Sequence, residues 1–205
     1  HHGWHGWPLE KNPSGKVGGA YDFNGSSGSY IRLNDSNVML TNNNTWSITA
    51  WFKPQGTASA RRVFSFHRTT GASSGVLAEV TSSNTFRIGY VNSTGTLKYL
   101  TGSTASNNVW HHMAITYDGT NFIAYLNGVN YSNSTDTFFG FGSYDAVIGS
   151  FDGSTSMFNG SIDEFMVYNK TLSQDEITMM HEGSRLGGNI LSSDLTSKGE
   201  NWSVG

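Results

Sequence analysis

The chain has no cysteine, which excludes disulfide bonds, thiolate metal sites and cysteine nucleophiles together. Only 13% of its 205 residues are charged, and no run of lysine or arginine occurs. With a formal net charge of −3, this composition argues against a nucleic acid as partner. The longest apolar run covers residues 122–126, far short of the roughly 20 residues of a membrane-spanning helix, so no insertion into a membrane is predicted.

Small and turn-forming residues are abundant instead. The sequence contains 25 glycines and 48 serines and threonines. Many short strands joined by polar turns fit this composition, whereas a helical bundle does not. The length allows one large β domain, with room for a fragment of a second.

A β-hairpin is predicted for residues 110–128, WHHMAITYDGTNFIAYLNG, with its turn at Asp118-Gly119. If the loop has an even number of residues, one face is wholly apolar and belongs to the core: Met113, Ile115, Tyr117, Phe122, Ala124 and Leu126. The opposite face is too apolar to be fully exposed, so we expect it to be half covered: Trp110, His112, Ala114, Thr116, Ile123 and Tyr125.

Other strands follow from period-two patterns, most clearly at residues 46–54. Further strands are predicted at residues 1–8, 21–25, 30–33, 62–66, 75–80, 85–91, 96–100, 146–149 and 158–168. In the first, Trp4 and Trp7 pack inward, and the last is interrupted at Gly160. Ser173 and Glu176 form a capping box that starts one short helix, packed at the edge of the sandwich.

The composition changes after residue 186. We predict one domain over residues 1–186, with residues 187–205 as a linker and the first strand of a second domain. A tail that folds back on the first domain is the alternative.

Five motifs in order resemble the LamG-like jelly-roll family: GKVGGAYDFNG, WSITAWFKP, WHHMAITYDGT, AYLNG and FNGSIDEFMVYNKTLSQDEI. The resemblance implies an all-β, two-sheet antiparallel jelly-roll sandwich with one short C-terminal helix. It is less informative about function, because this fold hosts lectins, adhesion modules, glycanases and passive spacers. The tail, SSDLTSKGENWSVG, is similar to the first strand of Ig-like repeats that follow such domains in surface proteins, so further domains are expected.

Nine Asn-X-Ser/Thr motifs indicate an extracellular glycoprotein. About four or five would arise by chance in so Asn-, Ser- and Thr-rich a chain, and the excess favours N-glycosylation. The acceptors are Asn24, Asn34, Asn43, Asn92, Asn130, Asn133, Asn159, Asn169 and Asn201.

The acidic residues do not predict an enzyme. Glycan-cleaving relatives place two or three carboxylates alternately along one strand. Here Asp163 and Glu164 are neighbours in a strand and point to opposite faces, and Asp175-Glu176 belongs to the capping box. We therefore expect a non-catalytic chain.

Binding is the function that the resemblance implies, with a glycan or a surface protein as partner. The candidate ligand residues lie on the half-covered hairpin face and on neighbouring strands: Arg87, Tyr90, Tyr99, His112 and Tyr125. Each is equally explained as a second core layer or an ordinary strand residue. The aromatic loop at residues 138–144 either contributes to a rim or folds under the sandwich.

Calcium is a further expectation from the resemblance, since many members hold Ca²⁺ between the first and last motifs. The matching residues are Asn24 and Asp163. Asn24 is neutral and begins a glycosylation motif, and Asp163 could instead accept backbone hydrogen bonds.

The sequence thus predicts a cell-surface module that binds glycans or another surface protein, with a structural spacer and a diverged glycan-active enzyme as alternatives.

Overall fold

The computed structural model describes residues 5–6, 9–33, 44–57, 60–68, 74–141 and 146–185. Within these ranges the chain forms fourteen strands and one helix. The strands are β1 (His5–Gly6), β2 (Glu10–Asn12), β3 (Ala20–Asn24), β4 (Tyr30–Leu33), β5 (Trp46–Pro54), β6 (Ala60–Arg68), β7 (Ser74–Thr81), β8 (Thr85–Val91), β9 (Leu97–Thr104), β10 (His111–Tyr117), β11 (Asn121–Leu126), β12 (Val129–Thr135), β13 (Ala146–Ile148) and β14 (Asn159–Tyr168). The helix is α1 (Gln174–Arg185).

The strands form two seven-stranded sheets, here called sheet A and sheet B. Sheet A has the order β1-β4-β13-β6-β7-β8-β9, and sheet B the order β12-β11-β10-β5-β14-β3-β2. All described neighbours pair antiparallel. The predicted two-sheet antiparallel sandwich with one C-terminal helix is therefore confirmed. The strands β2 and β12 were not predicted, and both are edge strands without a regular apolar alternation.

The core lies between the sheets, and the hairpin of β10 and β11 supplies its centre. Tyr117 pairs with Phe122, so the loop has four residues, as the predicted register requires. All six side chains predicted for the core face are buried. On β5, the inward positions are Trp46, Ile48, Ala50 and Phe52, each fully buried. The period-two pattern of the sequence therefore decides which side chains enter the core.

The outer face of sheet B is covered by α1. Ala114 and Tyr125 pack against Ile177 of α1 and against Leu172, which lies just before the helix. The face is covered more fully than predicted, since four of its six side chains are buried and Trp110 and Ile123 are half-buried. The helix contacts the edge strand β12, and Gln174 Nε2 donates to Gly128 O at 2.6 Å, so its predicted place at the edge is confirmed. The predicted capping box is confirmed: Ser173 N donates to Glu176 Oε2 at 2.7 Å, and Glu176 N donates to Ser173 Oγ at 3.2 Å.

Two irregularities change where charged side chains point. The pairing of β6 with β7 shifts between Arg62 and Phe64, and that of β14 with β5 shifts between Asp163 and Met166. The predicted interruption at Gly160 is wrong, because β14 continues through it and breaks at Glu164, whose φ is 46°. A bulge adds one residue and so re-aims the side chains on one side of it.

Several predictions fall outside the described residues. These are the inward packing of Trp4 and Trp7, the glycosylation acceptors Asn34, Asn43 and Asn201, and the segment at residues 187–205. Among the described residues, no helix has the length and apolar character needed to cross a membrane.

His112 is buried beneath the helix between two other rings. Its ring centroid lies 5.2 Å from that of Trp51 and 6.2 Å from that of His181. Burial, followed by the charge of His181, lowers the pKa of His112 from its ordinary value of 6.5 to about 3. Between about pH 3 and pH 6.5, His112 is therefore neutral in the folded protein and protonated in the unfolded chain.

We predict that stability falls as the pH falls from 6.5 toward 3, because the unfolded state then binds the extra proton. The contribution of neutral His112 to the free energy of unfolding is fully present above pH 6.5, the pKa of histidine in the unfolded chain. Between pH 7 and pH 5, a range chosen above most carboxylate titrations, the free energy of unfolding should drop by about 2 kcal/mol through His112. Denaturant unfolding across this range measures the drop, and His112→Gln should remove it. A wild-type curve without this decline would contradict the assignment.

Candidate functional site

A buried carboxylate organises the outer face of sheet A. Glu79 on β7 is 1% exposed and lies between Arg62 of β6 and Arg87 of β8. Its Oε1 accepts a hydrogen bond from Arg87 Nε at 2.5 Å and also contacts Arg87 Nη2. Its Oε2 lies 2.7 Å from Arg62 Nη1, an ion pair without the alignment of a hydrogen bond. One anion is thus shared by two cations.

The register of the strands brings these three residues into one row. Arg62 pairs with Glu79, and Glu79 pairs with Arg87. In a regular strand Arg62 and Phe64 would share a face, but the bulge between them leaves Phe64 in the core and turns Arg62 outward. The bulge is therefore what completes the charge row.

Arg87 also lies over an aromatic ring. Its Cζ is 4.0 Å from the ring centroid of Tyr99, which sits on β9 across from Gly89. A β-carbon at Gly89 would come within 3.0 Å of Tyr99 Cε1 and of Leu77, so the glycine makes room for the ring. The side chain of Arg87 remains 33% exposed, and Tyr99 is half-buried. This pair is the accessible end of the charge row.

Unused hydrogen-bonding capacity remains behind this pair. In the described part of the chain, two buried polar atoms of this face have neither a hydrogen-bond nor an ion-pair partner, Ser65 Oγ and Arg62 Nε, whereas Arg62 Nη1 and Glu79 Oε2 are paired with each other. The guanidinium of Arg62 packs against Phe151, with its Cζ 5.5 Å from the ring centroid. Unpaired buried polar atoms are rare in folded proteins and mark positions where water or a ligand group fits.

Of the five predicted ligand residues, only Arg87 and Tyr99 come together. Tyr90 is 1% exposed, because β8 turns it inward, where its ring stacks on Phe122 at 3.8 Å. Its hydroxyl donates to Ser134 Oγ at 2.9 Å, and burial raises its pKa. The structure therefore corrects this residue to the core.

His112 and Tyr125 are corrected in the same way, since both lie beneath α1 and are 3% exposed. Burial raises the pKa of Tyr125. Neither side chain has a face left for a ligand.

The residues proposed for calcium are not neighbours. Asn24 pairs with Asn159, whereas Asp163 stands four residues further along β14, roughly 13 Å away at about 3.3 Å per residue. Asp163 Oδ2 accepts Lys16 N at 2.7 Å and Val17 N at 2.9 Å, and Oδ1 accepts Glu164 N at 2.9 Å. The side chain of Asn24 accepts Ser26 N at 2.9 Å. These residues do not fit a shared calcium ion.

The loop that Asp163 holds depends on a glycine. A β-carbon at Gly15 would lie 2.7 Å from Ala20 N and 2.8 Å from Asp163 Oδ2. Asp163 therefore acts as an anchor for the loop that precedes β3. Among the residues that the structure describes, no cluster of three His, Asp or Glu side chains is arranged to hold a metal ion.

Glu164 lines an apolar cleft of about 590 Å³ between the two sheets. The cleft is bordered mainly by aromatic and aliphatic residues, including Tyr21, Phe23 and Phe165. Burial, followed by the charge of Asp163, raises the pKa of Glu164. Asp163 and Glu164 both border this cleft, but Asp163 is engaged there by three backbone N–H groups.

The aromatic loop that begins at residue 138 folds inward under the sandwich, which is the second of the two predicted alternatives. Phe138 and Phe141 are buried, with ring centroids 5.3 Å and 5.2 Å from Trp46. Phe139 is 43% exposed, and residues 142–144 lie outside the described chain.

Six of the predicted glycosylation acceptors are described. Asn24, Asn130, Asn133 and Asn169 are exposed, and Asn159 is half-buried. Asn92 is buried, and its Oδ1 accepts hydrogen bonds from Thr94 N, Thr94 Oγ1 and Thr96 N. The side chain of Asn92 is thus occupied in organising its own turn.

The pairing residues Glu79 and Arg62 were not predicted as part of a site. A signal was present: Glu79 is the one charge in the otherwise apolar β7, and a carboxylate in a buried strand needs a cationic partner. The bulge that aims Arg62 at it has no signature in the alternation of the sequence.

A family model described as the concanavalin A-like lectin/glucanases superfamily matches residues 24–178. No curated protein matches the chain. Among solved structures, the binding domain of botulinum neurotoxin serotype G is similar, with a TM-score of 0.68 and 16% identity over 88% of this chain and 46% of that one. The binding domain of Paraclostridial mosquitocidal protein 1 gives a TM-score of 0.68 and 13% identity over 88% and 47%.

Domain 4 of AbnA, a GH43 extracellular arabinanase from Geobacillus stearothermophilus solved in complex with arabinotriose, is also similar. Its TM-score is 0.65, with 22% identity over 86% of this chain and 82% of that one. The chain spans about half the length of the two toxin binding domains. At these identities the likeness shows the fold alone.

We predict that Glu79→Gln lowers the free energy of unfolding by about 3 kcal/mol, because it leaves the largely buried guanidinium of Arg62 and the partly exposed one of Arg87 without their shared buried anion. Chemical denaturation measures the change. Lys170→Gln is the matched control, since it breaks the exposed Lys170–Glu176 pair and should cost less than about 1 kcal/mol. Equal effects of the two variants would contradict the role of Glu79.

Asp163→Asn should destabilise the protein by about 2 kcal/mol, because the backbone N–H groups of the loop lose a charged acceptor. Asp175→Asn, in the exposed first turn of α1, should cost well under half as much, about 0.5 kcal/mol. Millimolar calcium should leave the melting temperature of wild type and variant unchanged. A calcium-dependent rise in wild type that Asp163→Asn abolishes would instead establish Asp163 as a ligand.

Proposed function

The chain belongs to the concanavalin A-like lectin/glucanases superfamily, and from this premise we propose that it is a non-catalytic carbohydrate-binding module. Its binding site is the outer face of sheet A at Arg87 and Tyr99. The solved complex of a similarly folded arabinanase domain with arabinotriose supports sugars as the ligand class.

The single observation that carries the proposal is the fixed placement of Arg87 over Tyr99. Protein sites that bind sugars combine an aromatic surface, which packs on C–H groups, with a few polar groups that fix the hydroxyls. Tyr99 supplies the ring, Arg87 supplies N–H donors, and Glu79 holds the guanidinium in place. A side chain that is already ordered loses little entropy when a ligand binds.

The non-catalytic part of the proposal is supported by the contacts that the carboxylates make. Hydrolysis of a glycosidic bond needs two carboxyl groups that flank it, one as acid and one as base or nucleophile. Glu79 is paired with two arginines, Asp163 accepts three backbone hydrogen bonds, and Glu164 borders the cleft between the sheets. Glu79 and Asp163 are therefore engaged by structural partners, which favours binding over hydrolysis.

The proposed setting is extracellular, as part of a larger surface protein that takes part in adhesion. The exposed glycosylation motifs at Asn24, Asn130, Asn133 and Asn169 support this setting. The similarity of residues 192–205 to the first strand of an Ig-like repeat supports a following domain. Glycans, or glycosylated surface proteins, are the proposed partners.

We predict that the protein binds at least one sugar on a glycan array, and that Tyr99→Ala weakens this binding at least tenfold through loss of the ring surface. The matched control is Tyr21→Ala, which removes a tyrosine that is 37% exposed outside the site and should leave affinity unchanged. Melting curves of both variants check that the fold is retained.

Binding to no glycan would overturn the proposed function and favour a structural spacer. Hydrolysis of a polysaccharide panel, lost when one carboxylate is changed, would overturn its non-catalytic part.

A further inference from the structure

We propose that the preferred ligand is a carboxylated glycan, and that Arg87 binds its carboxylate. This inference rests on the proposed function of the same site and specifies the class of sugar. It departs from the neutral arabinotriose of the similarly folded arabinanase domain.

The first argument is the local charge. Arg62, Arg87 and Glu79 together carry one net positive charge, in a protein whose formal net charge is −3. Along β8 and β9, the outward positions other than Arg87 carry no charge: Thr85, Gly89, Val91, Leu97, Tyr99 and Thr101. An anionic group that approaches the exposed part of this face therefore meets one cation and no neighbouring carboxylate within these strands.

The second argument concerns donors and acceptors. Glu79 is the strong acceptor of the site, but it is 1% exposed and engaged by both arginines. The charged group that the site offers outward is the guanidinium of Arg87, which donates and never accepts, beside the neutral hydroxyl of Tyr99. A sugar hydroxyl accepts a neutral hydrogen bond from such a donor and gives its proton to water, whereas a carboxylate only accepts and forms stronger, charge-assisted bonds. The exposed chemistry therefore fits a carboxylate better than a hydroxyl.

The third argument is the geometry of the guanidinium. Contacts with Glu79 use Nε and Nη2 of Arg87, which leaves the edge formed by Nη1 and the second Nη2 hydrogen. A planar carboxylate binds such an edge through two parallel N–H···O bonds. The stacking of Arg87 on Tyr99 at 4.0 Å and its ion pair with Glu79 fix the direction in which this edge points.

The test compares oligogalacturonate with the same oligomers after methyl esterification, which removes the charge and keeps the sugar. Isothermal titration should show that wild type binds the carboxylate form at least tenfold more tightly. Arg87→Gln should abolish this difference. Lys98→Gln, which removes an exposed cation from the adjacent position of β9 on its opposite face, should preserve it.

If Arg87→Gln fails to fold, Arg87→Lys serves as a second variant. Lysine keeps the positive charge but lacks the planar edge with two N–H donors. Arg87→Lys should therefore retain less than a third of the wild-type preference for the carboxylate form over the methyl ester. Equal or tighter binding of the methyl ester by wild type would overturn the inference. Tyr99-dependent binding of the ester or of neutral arabinan would in that case leave the proposed function standing. Binding of no glycan at all would overturn the function itself.

Discussion

Burial of Trp46 between the two sheets is the contact on which the rest of the structure depends. Its ring lies within 6.2 Å, centroid to centroid, of four aromatic neighbours: Tyr117, Phe122, Phe138 and Phe141. Removing an aromatic side chain of this size from water contributes about 4 to 6 kcal/mol. Within the described chain its Nε1 has no hydrogen-bond partner, at a cost of about 1 to 3 kcal/mol, so the packing outweighs the polar loss.

Wherever the sequence alternates strictly, it predicts the structure well. The hairpin at residues 110–128 has its expected register, and the strand at Trp46–Pro54 has its expected faces, because a one-residue slip would expose a whole apolar side. The capping box also identifies the start of α1 from four residues. These signals are local. The position of α1 over the outer face of sheet B is not local, since it depends on which surfaces the tertiary fold brings together.

In the candidate site, too, the local features could be predicted from the sequence, whereas those that depend on the tertiary fold could not. Period two already separates Arg87 from Tyr90, which lie three residues apart on β8 and so face opposite sides. Arg87 and Tyr99 meet because β8 and β9 are neighbours, which the short connection between them makes predictable. The contribution of Arg62 was not predictable, because a bulge interrupts the alternation between Arg62 and Phe64. His112 and Tyr125 looked accessible only as long as the helix above them was unknown.

The helix over sheet B gives the molecule two unlike sides. Side chains beneath the helix are packed in the interior, so a substitution at Tyr125 changes the free energy of unfolding. Arg87 and Tyr99, on the outer face of sheet A, keep part of their side chains exposed, so a substitution at Tyr99 alters the protein surface, and one at Arg87 alters both that surface and the ion pair with Glu79. The two sides of the domain therefore differ in accessibility: the side that carries Arg87 and Tyr99 is partly exposed to solvent, whereas the side beneath α1 is buried.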